Sequence, residues 1–218
     1  MRLRIFVPII VALLALAATP SPAQYMSHPR DRTRSVESSP QDIRAFAHFS
    51  RCIADRQRDR TRAILAMDDR SVAYLSELCR LAQANRGYGP MGFMRFGVQL
   101  YVGGLAEAVL HHYVAMRDFP RLVAADTTRP SPGVTNPNDV AAVCAVHASP
   151  DAAAAALATE PATPEESVAL GALVPALSAC LGAGRSLTTN RESMRALIAL
   201  AAYRIGERAG WVAAPVVR

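Results

Sequence analysis

Glu107 and Glu207 are the side chains best placed by type to do chemistry, because each is a carboxyl in an otherwise apolar stretch. Each follows an arginine by twelve residues, Arg95 and Arg195. A desolvated carboxyl of this kind can serve as the general acid of a hydrolase or lyase, with a histidine as its partner. The same four residues also suit structural ion pairs, since a covered charge is normally partnered. Twelve residues turn a helix about 120° out of phase, so Arg and Glu of one stretch do not share a face. Each is expected to pair with a neighbouring helix.

His111 and His112 adjoin, and His111 lies four residues beyond Glu107. A di-iron bundle wants Glu-x-x-His in duplicate, and a zincin wants His-Glu-x-x-His. Neither is present. Gly87 to Phe93 is glycine-rich but has no following Lys-Ser/Thr, so it reads as a loop and not a phosphate cradle. The chain contains no lysine and no Gly-x-Ser-x-Gly. No catalytic residue, cofactor or metal site is assigned from the sequence.

Arg51, Arg56, Arg58, Arg60 and Arg62 form the densest basic cluster, interleaved with Asp55 and Asp59. Arg56, Arg58, Arg60 and Arg62 are the candidate contacts for an anion, because the planar guanidinium fork grips oxyanions. Residues 24–133 hold 16 arginines against 11 acids, and residues 134–218 hold 6 against 7. An anion-facing surface therefore belongs to the first half. The formal charge of +6 falls to +4 without Arg2 and Arg4, well short of a nucleic-acid-binding signature.

These side chains need scaffolding, and the sequence supplies helices. Met1 to Ala23 reads as a secretory signal peptide. Arg2 and Arg4 precede an uncharged run from Ile5 to Ala18, and Ser21 and Ala23 suit the −3 and −1 positions of a peptidase site. The mature chain is then expected in the periplasm or outside the cell, with no membrane span. Residues 24–38 are polar and arginine-bearing, a disordered lead-in. Ser39-Pro40-Gln41-Asp42, Asn136-Pro137, Ser149-Pro150-Asp151 and Thr163-Pro164-Glu165-Glu166 are helix starts: a cap, a proline in the first turn, an acid at the positive dipole end. The last reads as a capping box, as does Thr189-Asn190-Arg191-Glu192. With apolar spacing, these signals predict helices near 40–55, 57–67, 70–85, 91–116, 137–147, 150–159, 164–181 and 190–208. Gly97, Gly103 and Gly104 in the fourth would let another helix approach closely.

The fold class is all-α, a duplicated four-helix unit forming a disulfide-stapled bundle. Unit 1 spans 39–126, a Pro/Gly-rich linker 127–135, and unit 2 136–210. Cys52 to Ala66 matches Cys144 to Ala158 at an offset of 92, and Met94-Arg95 matches Met194-Arg195 at 100, with Glu107 on Glu207. Each copy has a cysteine on its first and third helices. In an exported chain this predicts the pairs Cys52–Cys79 and Cys144–Cys180.

The signal peptide, the Cys-bearing Ala-rich helices and the pattern Met-Arg-x-x-(Val/Ile)-x-Leu, with its Glu twelve residues after the Arg, carry a resemblance. The chain resembles uncharacterised exported Ala-rich helical proteins of GC-rich alphaproteobacteria. The resemblance implies export and a helical fold, and it carries over no activity and no site residue. The sequence thus points to an exported, non-enzymatic helical binding or structural protein. Its partner would be an envelope protein or an anionic envelope component, not a nucleic acid. The alternatives are a small envelope hydrolase or lyase using Glu107 or Glu207, and an anion-binding protein using Arg56 to Arg62.

Overall fold

The computed structural model describes residues 38–85, 97–125 and 136–212. The signal segment 1–23, the linker 127–135, the loop Gly87 to Phe93, Arg95 and all of the lead-in except Ser38 lie outside them. Among the described residues all regular structure is helical: α1 Pro40–Arg56, α2 Arg58–Leu65, α3 Val72–Ala84, α4 Val98–Tyr113, α5 Phe119–Ala125, α6 Pro137–Ala148, α7 Pro150–Ala158, α8 Pro164–Leu181 and α9 Arg191–Arg208.

Caps set the helix starts. At α1 the Ser39 hydroxyl accepts from the Asp42 backbone N–H while the Asp42 carboxylate accepts from the Ser39 backbone, a complete capping box. Asn136 and Thr163 cap α6 and α8 from their side chains. Both expected boxes differ in detail. The Glu166 carboxylate passes over the cap and accepts from the Ala162 N–H at 2.8 Å, holding Ala162 at a φ of 61°. At α9 the cap is Asn190 and not Thr189, because the Asn190 side-chain Oδ1 accepts from Ser193 N–H at 2.9 Å. α5 is an additional helix that the apolar spacing did not announce. Phe119 and Val123, four apart, bury its inner side.

α4 and α9 form the centre; α1 and α2 pack on α4, and α6, α7 and α8 on α9, while α3 packs on α2 and α5 on α6 and α7. Gly103 makes their crossing possible: a Cβ there would overlap the backbone of Ala196. Gly104 does the same for α1, since its Cβ would lie 2.7 Å from the Ser50 hydroxyl. Gly97 has no such role; it caps α4 with open space around it. Leu105, Val109 and Leu110 of α4 and Ile198, Tyr203 and Ile205 of α9 are fully buried, in a core that both halves of the chain share. α9 is buried on nearly every side, which explains its apolar sequence.

The halves are wired alike. α1 and α2 pack on α4 as α6 and α7 pack on α9, and α2 meets α3 as α7 meets α8. α2 and α7 start 92 residues apart, at 58 and 150, and so do α3 and α8, at 72 and 164. One difference is that α6 packs along α8, and there Cys144 and Cys180 are joined, with Cα atoms 5.8 Å apart. The expected Cys52–Cys79 bond is not formed; both thiols are free. Cys79 sits next to Leu78 on α3, about 100° from the buried stripe of Tyr74, Leu78 and Leu81, and faces solvent. α3 docks mainly on α2, so its cysteine is not brought to α1 as α8 brings Cys180 to α6.

Candidate functional site

Arg195 enters the fold on α9 and is buried. It reaches the end of α7, where the last carbonyls of a helix lack intrahelical donors. Its Nη1 donates to the Ala156 carbonyl at 3.0 Å, and its Nη2 to the Thr159 carbonyl at 2.9 Å. The other side of the guanidinium forks onto Glu107 of α4, Nε to Oε2 at 2.9 Å and Nη2 to Oε1 at 2.6 Å. Nη1 also meets Glu166 Oε1 at 3.1 Å, and Arg191 meets the other Glu166 oxygen at 3.3 Å. One side chain thus ties α9, α4, the α7 terminus and the start of α8. Burial alone would lower the Arg195 pKa; the hydrogen bonds and charges of Glu107 and Glu166 overcome that and raise it.

A cleft of about 430 Å³ opens beside this network. α1 lines it with Ala47, Arg51 and Asp55, α4 with Gly104, Glu107 and the two histidines, and the end of α7 and the α7–α8 turn with Leu157 to Pro161. Arg51 and Glu160 pair at 3.6 Å, both about half exposed. His111 Nε2 lies 3.9 Å from Glu107 Oε1. The His111 side chain keeps 39 % of its surface, yet desolvation against the cleft wall lowers its pKa, partly offset by Glu107.

No family model, no curated protein and no solved structure matches the chain.

Both Glu107 oxygens accept from one guanidinium, the geometry of a structural carboxylate rather than of an acid presenting a proton. Glu207 is elsewhere. Burial raises its pKa, against the charges of Arg62 and Arg204. The two glutamates do not share a site.

The arginine cluster is dispersed over the α1–α2 junction. Arg60 bonds Gln57 at 3.4 Å and Glu77 at 3.3 Å, and Glu77 also binds Arg80. Arg62 lies over the Tyr113 ring, 5.6 Å from its centre. Arg58 is half-buried and Arg56 ends α1. Arg60 is thus paired at the surface and Arg62 is half-buried against Tyr113.

Three participants were not singled out from sequence. Arg204 of α9 bridges Asp139 of α6 at 2.8 Å and Asp69 of the α2–α3 turn at 2.9 Å. The available signal was the placement of Arg204 in an apolar helix, the same signal that flagged Arg195. Among the described residues no three His, Cys, Asp or Glu side chains converge as a metal site, and no single helix is long and apolar enough to cross a membrane. The bent pair α6 and α7, breaking by 103°, passes the length and composition test jointly. Its Ala141, Ala142, Ala145 and Ala153 are core residues.

Proposed function

We propose that this chain is an exported, non-enzymatic binding module built by duplication of a four-helix unit, with its ligand cleft between α1, α4 and the α7–α8 turn. One observation carries the non-enzymatic reading: the guanidinium of Arg195 engages both oxygens of Glu107, the one carboxyl of the flagged pair that reaches the cleft. A group held this way supports walls and does not turn over substrate.

Export is supported by the signal-like segment 1–23 together with the Cys144–Cys180 bond, since disulfides persist in oxidising compartments. Duplication is supported by the repeated helix spacing and the repeated packing partners. Expression of the full chain in a Gram-negative host tests export. Intact mass of the periplasmic fraction is expected to fit a chain starting at Gln24, and alkylation to find two free thiols. A full-length chain confined to the cytoplasm contradicts it.

A further inference from the structure

The two halves build matching crevices, and one is plugged while the other is open. Between α6, α9 and the α2–α3 turn, Arg204 fills the space, held by Asp139 and Asp69. At the offset of 92, Asp139 matches Ala47 and Asp69 matches Pro161; at the offset of 100, Arg204 matches Gly104. Ala47, Pro161 and Gly104 all line the cleft. The cleft is thus the counterpart of the plugged crevice with the arginine and both its carboxylates removed. Its volume of about 430 Å³ suits a small ligand.

We propose that the cleft binds a small organic cation with an alkyl stem, an alkylguanidinium or alkylammonium, its stem in the space that the Arg204 stem takes in the other crevice. This rests on the binding-module and duplication readings above. The charge balance favours a cation. Three carboxylates, Asp55, Glu107 and Glu160, face two guanidiniums, and both guanidiniums are engaged, Arg51 by Glu160 and Arg195 by Glu107. Asp55 is exposed, with no ion pair or hydrogen bond to any other described residue. Ala47, Ala108 and Leu157 supply apolar wall for the stem. An anion would meet no unpaired cation there; the cleft histidine next to Glu107 is held toward its neutral form by desolvation.

Calorimetric titration of the mature chain with agmatine, an alkylguanidinium, tests this. Binding is expected at one site with a Kd of about 1 mM or tighter. Asp55→Asn is expected to weaken it about tenfold by removing a charge-assisted contact. Ala47→Arg, which puts a guanidinium stem into the cleft, is expected to abolish it with the circular dichroism unchanged. Asp55→Asn, on an exposed residue, keeps the test valid if Ala47→Arg fails to fold. No heat with agmatine, wild-type affinity in Asp55→Asn, or a preference for acetate overturns the proposal. A chain found mature in the periplasm that ignores agmatine overturns the ligand class and leaves export standing. A chain that keeps its leader yet binds agmatine supports the site and overturns export.

Discussion

Arg195 and Glu107 stand 88 residues apart in sequence and meet as a two-point fork, at 2.9 and 2.6 Å. Arg195 belongs to the fourth helix of the second half and Glu107 to the fourth helix of the first. The fork therefore couples the two halves at the α4–α9 centre, and the cleft forms along its exposed edge.

The close crossing of those helices sets a first expectation. Gly103→Ala forces a methyl group into the Ala196 backbone and is expected to cost about 1–3 kcal/mol. Gly171→Ala, on the exposed side of α8 with open space around it, is expected to stabilise by about 0.5–1 kcal/mol through helix propensity. Thermal unfolding of the two variants separates packing from propensity. Equal effects would contradict the backbone contact.

The cysteines set a second. Cys144 and Cys180 close a 36-residue separation, worth roughly 4 kcal/mol of unfolded-chain entropy. Cys144→Ser with Cys180→Ser is expected to lose most of that, whereas Cys79→Ser, at an exposed free thiol, is expected to be neutral. A large loss from Cys79→Ser would restore the Cys52–Cys79 bond that the fold does not contain. In the folded chain Cys52 instead lies 3.4 Å from His48 Nε2.

The third concerns pH. The His111 pKa is lowered by folding from an ordinary value of about 6.5. Above that value both states are neutral and the residue has no effect. As pH falls below it the unfolded chain takes up the proton first, so stability drops until the folded-state pKa is reached. His111→Gln is expected to flatten the melting-temperature profile below pH 6.5 and leave it unchanged at pH 8. A parallel offset at every pH would contradict the assignment.

Local chemistry made the helices legible. Ser39, Asn136 and Thr163 start helices as the sequence indicates, because a cap and its proline act within four residues. Each of the eight expected helices has a counterpart, the one near 91–116 over Val98–Tyr113, with residues 91–96 outside the described residues. What was hidden depends on distance. Arg204 finds Asp139 and Asp69 at separations of 65 and 135, and nothing local encodes either choice. The Cys52–Cys79 expectation transferred a pairing between copies whose third helices dock differently. The ion-pair expectation for Arg195 survived, because a charge in an apolar helix must find a partner wherever it is. α5 escaped notice because two buried residues make too short a pattern, although Asp118 before Phe119-Pro120 is a start signal of the kind used elsewhere.

The fork itself is tested most directly by a double-mutant cycle of Arg195→Leu and Glu107→Leu, read by denaturant unfolding. Arg195→Leu alone is expected to cost about 3–5 kcal/mol, since it removes the guanidinium from Glu107, takes one partner from buried Glu166 and uncaps α7. The cycle is expected to return a coupling of about 2 kcal/mol or more between the two positions. Additivity within about 0.5 kcal/mol would contradict a structural tie between α4 and α9 and return Glu107 to the candidates for catalysis.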